Sequence, residues 1–177
     1  MPPLPDPKGV FLNVPYDEEF SGLYIAYIVG LCYSIHDLSR VEMSVAPTAV
    51  PRFNMPLELG MTMTWQRLHP SRHDWFVWES EPYRLQRSAS DLNGTDAYIH
   101  NGTPEGVLRE LSNVFWRDRI PSVPQMLTVY GLVNSALNSI FVRNGTRNPY
   151  DRSVFMELCR LSSSLTTFFF PPTKPAV

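Results

Sequence analysis

The chain has 177 residues and a mass of 20.3 kDa; 44% of the residues are hydrophobic, 18% are charged, the formal net charge is −2 and the pI is near 6.1. A chain of this length buries one good core with at most a small appendage, and a slightly acidic balance without a run of Lys or Arg offers no basic field for a phosphate backbone, which excludes nucleic acid as an expected partner. The two cysteines, Cys32 and Cys159, fall in apolar helical patterns and read as reduced thiols of a cytoplasmic protein rather than as a disulfide framework.

Residues 1–8 are rich in proline and lack the apolar core of a signal peptide, so they are expected to form a disordered leader. Gly9 to Val14 is a short apolar run closed by Pro15, the pattern of a buried strand. Asp17, Glu18 and Glu19 then put acid at a helix start, and apolar residues continue from Phe20 to Leu31. A second strand, Tyr33 to Leu38, follows at once, giving a β-α-β unit with parallel strands. Ser34, His36 and Asp37 interrupt the apolar stretch from Gly22 to Leu38, and no membrane span is expected.

Beyond the Val41 to Val50 loop, Arg52-Phe53-Asn54-Met55-Pro56-Leu57-Glu58-Leu59-Gly60 reads as a helix start, with Asn54 as cap and Pro56 in the first turn. The helix is expected over about Met55 to Leu68, with Leu57, Met61, Met63 and Leu68 on its apolar side and Thr62, Thr64, Gln66 and Arg67 facing outward. His69 and His73 are four apart, but Pro70 separates them and no third ligand accompanies them, so no metal is expected. Trp75 to Trp78 is a third buried strand ending at Glu79. A short helix and a turn are expected between Ser80 and Asp96, and Ala97 to His100 is a brief fourth strand. Thr103 caps a further helix with Pro104 at its first position, running to about Arg117. After Pro121 only helical spacing remains, over Ser122 to Val142 and again from an Asp151 cap through Leu161. Asn-Gly-Thr occurs at Asn93, Asn101 and Asn144, and these are read as Asn-Gly turns rather than glycosylation sites.

The elements predict an α/β fold: a short, mostly parallel sheet flanked by helices over residues 9–118, a C-terminal helical hairpin over 119–170 that could cover the sheet or make a homo-oligomer contact, and a tail at 171–177. The last residues of the second strand turn polar, as strands do where they reach the ligand crevice of an open α/β sheet. Asp37, Ser39, Arg40 and Glu58 are expected to share that rim.

Three stretches carry a resemblance. Val10-Phe11-Leu12-Asn13-Val14-Pro15-Tyr16-Asp17-Glu18, Ser34-Ile35-His36-Asp37-Leu38-Ser39-Arg40 and Phe53-Asn54-Met55-Pro56-Leu57-Glu58-Leu59-Gly60 resemble a bacterial group related to TIR-like and nucleoside 2-deoxyribosyltransferase-like domains. The resemblance covers roughly residues 9 to 118. It implies a flavodoxin-like parallel sheet, a nucleotide or nucleoside such as NAD as substrate rather than cofactor, and cleavage of an N-glycosidic bond by the glutamate of an ELG-like helix start, here Glu58. The chain departs from the family pattern in joining the first helix to the Asp37 strand directly through Gly30-Leu31-Cys32, without the strand-helix unit that usually intervenes.

N-glycosidic cleavage builds positive charge on the sugar as the base departs, and a carboxylate beneath C1′ stabilises or captures it. Glu58 is the candidate for that role. Asp37 would bond ribose hydroxyls, Asn13 and Ser39 would orient sugar or phosphate, Arg40 would neutralise phosphate, Tyr16 would stack on a base, and Asn54, at the helix start, is a further candidate substrate-binding residue. Plainer readings stand beside these: Glu58 as a solvated partner of the helix dipole, Asp37 as a loop cap, and His36 as a packed core histidine. The alternative function is a catalytically inactive nucleotide-sensing or oligomerisation module. The chain carries no P-loop, Gly-x-Ser-x-Gly elbow or dinucleotide glycine fingerprint, which removes the main support for ATPase, serine hydrolase and ordinary dehydrogenase readings.

Overall fold

The computed structural model describes residues 12–13, 34–39, 54–68, 74–88, 92, 94–115 and 121–171. Four strands form one sheet: β1 (Leu12–Asn13), β2 (Ser34–Asp37), β3 (Trp75–Glu79) and β4 (Tyr98–Ile99), in the order β1-β2-β3-β4. Every neighbouring pair is parallel, with Leu12 opposite Ile35, Ser34 opposite Trp75 and Trp78 opposite Tyr98. The α/β expectation holds. Parallel strands need cover on their faces, and the strand residues match: Ile35, Val77 and Trp78 are buried. Because all four strands run the same way, Asp37, Glu79 and His100 arrive at one end of the sheet. The strand order does not reverse among the described residues, so the crevice of a doubly wound sheet, which forms at such a reversal, is not built from these strands alone.

Helix α1 (Asn54–Leu68) packs on β2 and β3. Met55 and Leu59 enter a core with Leu38, Val77 and Leu85, and Met63 and Trp75 pack at its edge. The expected apolar side of this helix needs correction. Leu57, Met61 and Leu68 are 64%, 65% and 68% exposed, while Thr62 and Gln66 are half-buried. The cause is two-sided apolarity: at 100° per residue, Met55, Leu59 and Met63 define one face, and Leu57, Met61 and Leu68 another on the far side of the helix. The sheet took the first.

Two further helices follow β3 and β4 in the chain. Helix α2 (Arg84–Ser88) follows β3 and sends Leu85 into the core. Helix α3 (Pro104–Val114) opens as its sequence predicts, with the Thr103 hydroxyl accepting the Gly106 N–H at 3.0 Å. Ahead of it, Asn101 and Gly102 both have positive φ, 55° and 64°, the pair of values that an Asn-Gly turn supplies at low cost.

The described residues fall into two compact units whose division lies at Gly106–Val107, inside α3. The sheet, α1 and α2 belong to the first. In the second, α4 (Val123–Asn144) and α5 (Arg152–Phe169) form the predicted hairpin around Val129, Val133, Ile140, Val154 and Leu158. Gly145, at φ 63°, ends α4 as the Asn-Gly reading requires. The turn is tied by Glu157, which accepts from Arg143 at 2.7 Å and from Asn144 at 3.1 Å. Asp151 precedes α5 but makes no side-chain cap bond, because its carboxylate takes the Asn148 side-chain amide at 3.0 Å instead. Among the described residues no helix is long and apolar enough to cross a membrane. The predicted first helix, Asp17 to Leu31, and the histidines at 69 and 73 lie outside the described residues.

Gly106 sits so close to β4 that a Cβ there would fall inside the van der Waals envelope of the His100 carbonyl. Backbone cannot yield as a flexible side chain would. Gly106→Ala is therefore expected to destabilise the protein by about 2–3 kcal/mol, read as a fall in the urea midpoint at unchanged slope.

Candidate functional site

The site grows from the ends of three adjacent strands. At the end of β2 the Asp37 carboxylate is fully buried, and an unpartnered charge there would cost several kcal/mol. Its partners come from both directions along the chain. Ser39 bonds Oδ1 twice, through its backbone N–H at 2.9 Å and its hydroxyl at 2.5 Å, which closes a local turn. His100, also fully buried, brings Nε2 to 3.3 Å from Oδ2 and 2.9 Å from the Ser39 hydroxyl oxygen.

The tautomer of His100 follows from its other nitrogen. Nδ1 accepts the Gly102 N–H at 3.0 Å and so carries no proton. The ring proton therefore sits on Nε2 and is shared between the Ser39 oxygen and Asp37. A continuous chain results, from the Gly102 amide through the imidazole and the Ser39 hydroxyl to the carboxylate. This differs in role from a Ser-His-Asp nucleophile triad, in which the histidine must take the serine proton. Here the serine gives its proton to the aspartate.

Between them lies Glu79, at the end of β3 and 1% exposed. Its carboxyl pKa is pushed up to about 7. Burial is the main cause; Asp37 nearby adds to the rise, and Arg84, the Ser80 N–H and His100 oppose it. Oε2 accepts the Ser80 N–H at 3.2 Å, and the Arg84 guanidinium nitrogen lies 3.9 Å away. Oε1 carries no hydrogen bond among the described residues. A carboxyl group that changes protonation near neutrality, at the carboxyl end of a parallel strand, is suited to general acid–base work.

The sequence-derived candidates divide accordingly. Asp37 and Ser39 are brought together directly, and with His100 they form one cluster. Glu58, on the flank of α1, is half-buried and makes no hydrogen bond or ion pair among the described residues. It does not line the shallow groove of about 480 Å³ on α1, whose walls include Pro56, Leu57, Met61, Trp65 and Leu68. Asn13 pairs through its backbone with His36, and Asn54 is the first residue of α1; their side chains, with all of Tyr16 and Arg40, lie outside the described residues. His36 is fully buried. Among the described residues no group of three or more His, Cys, Asp or Glu side chains is placed to hold a metal ion.

Sequence reasoning missed Glu79 and His100 as site residues, although both carried the signal used for Asp37. Each is the first ionisable residue after an apolar strand run, Trp75 to Trp78 and Ala97 to Ile99.

The raised Glu79 pKa has a direct thermodynamic consequence. The folded state holds this proton more tightly than the unfolded chain, whose value is near 4.5, so the Glu79 contribution is complete below that pH and is lost as pH rises through about 7. Glu79→Gln keeps the size of the neutral acid and cannot ionise. Between about pH 5 and pH 8 the variant should gain stability relative to the parent by on the order of 2–3 kcal/mol, measured by urea unfolding at each pH. A constant difference across that range would refute the shift.

In comparisons with protein-family models, with curated proteins and with solved structures, the chain matches none.

Proposed function

We propose that the protein binds a nucleoside or nucleotide at the carboxyl end of its sheet and cleaves the N-glycosidic bond of that ligand, in NAD or a related nucleoside. The observation that supports this most is the convergence of Asp37, Glu79 and His100 on one end of three adjacent parallel strands, the end at which open α/β sheets receive ligands. Glu58 supplies the carboxylate that meets the cationic sugar; it is half-buried and uncommitted to any described partner, as such a group must be before substrate arrives. Water or a second base accepts the sugar.

One observation favours a second reading. Asp37 is consumed by internal bonds to Ser39 and His100, which suits a rigid binding rim as well as a reacting one. In that reading the domain is a catalytically silent nucleotide sensor or assembly module. The C-terminal hairpin, with Val142 and Phe168 strongly exposed, would then make the oligomer contact.

The two readings separate in one assay. Incubation with NAD and with deoxynucleosides should release free base in the parent protein, and Glu58→Gln should lower the rate by about a hundredfold or more. Equal turnover in both proteins, or none in either, contradicts the cleavage reading. A melting temperature raised by nucleotide without consumption selects the sensor.

A further inference from the structure

The loop after β3, at the carboxyl end of the sheet, carries an exposed aromatic ring. Tyr83 has φ 62°, in the left-handed region that bulky L-residues rarely occupy, and it is 79% exposed. The other positive-φ residue that is not glycine, among the described residues, is Asn101, whose short polar side chain tolerates that region; Tyr83 has no such excuse. Pro82 just before it sets a turn in which glycine is the ordinary occupant of the next position.

The surrounding contacts hold the loop in this form. On one side Ser80 is bonded through its N–H to the buried Glu79 carboxyl, and its hydroxyl accepts from Arg84 at 3.4 Å. On the other side Leu85 is locked in the core at 1% exposure. With both flanks fixed, the Tyr83 backbone stays left-handed and its ring is held out in water at the carboxyl end of the sheet. An exposed aromatic ring on a fixed backbone has only two side-chain torsions to lose when it binds, which suits a stacking platform.

We propose that Tyr83 is the residue on which the base of the bound nucleoside stacks, so that the β3–α2 loop recognises the base. This rests on the nucleotide-binding reading above. A planar, uncharged heteroaromatic ring is the class of group it accepts, and base–aromatic stacking tolerates different bases.

The test uses the full chain, with adenosine and ribose 5-phosphate as probes in calorimetric titrations. Tyr83→Gly removes the ring and relieves the backbone, so its melting temperature should rise while its affinity for adenosine falls by about tenfold or more. Tyr83→Phe should bind adenosine within about twofold of the parent, because the ring is retained. Ribose 5-phosphate should bind all three proteins alike. Equal adenosine affinity in parent and Tyr83→Gly overturns the stacking role and leaves the binding reading standing. Equal weakening of both probes also overturns it, since that marks a distorted loop. A parent protein that binds ribose 5-phosphate but not adenosine overturns the stacking role, and one that binds neither overturns both.

Discussion

A carboxylate buried beyond the reach of water is the constraint around which the described sheet is organised. Asp37 ends β2 with no exposed surface, and desolvating a charge is tolerated only where good hydrogen bonds replace the lost hydration. Ser39 supplies two of them from a turn, and His100 adds a third contact from the chain beyond β4. Because β3 lies between β2 and β4, this polar link spans three strands at one end. It fixes where the chain leaves β4, and with it the Asn101-Gly102 turn, the Thr103 cap and the close packing of Gly106 on His100. Substituting one member would affect all of them.

Glu79 occupies the centre of the same edge under different terms. Asp37 is surrounded by donors, whereas Glu79 has one backbone N–H and a guanidinium at 3.9 Å. Two neighbouring carboxyl groups in a buried place cannot both be charged cheaply, and burial together with the nearby Asp37 pushes the Glu79 pKa up to about 7. The edge therefore combines a held anion with a proton source near neutrality. That pairing is the physical basis on which a ligand site at this edge is proposed.

Much of this architecture was legible in the chain. Short apolar runs closed by polar residues gave β2, β3 and β4, because a parallel strand buried on both faces needs continuous apolarity. Thr103-Pro104 and Asn144-Gly145 marked helix ends through local stereochemistry that acts before any tertiary contact. Three features were hidden for equally physical reasons. Helix α1 is apolar on two sides, and spacing alone does not tell which one the sheet will cover. The His100 link joins residues 61 apart, so only the sheet order reveals it. Tyr83 adopts a glycine-like conformation that its residue type argues against, imposed by the anchored residues on either side.

The link between Asp37 and His100 supports the rest of the account, and its signature is the position of one proton. Imidazole nitrogen shifts of His100, recorded by long-range nitrogen–proton correlation at mildly alkaline pH, report it directly. The bonds described here require a protonated Nε2 and a bare Nδ1. A proton found on Nδ1 instead would mean that the Gly102 amide does not close the chain, and the pinned carboxyl edge on which the proposed site is built would not exist.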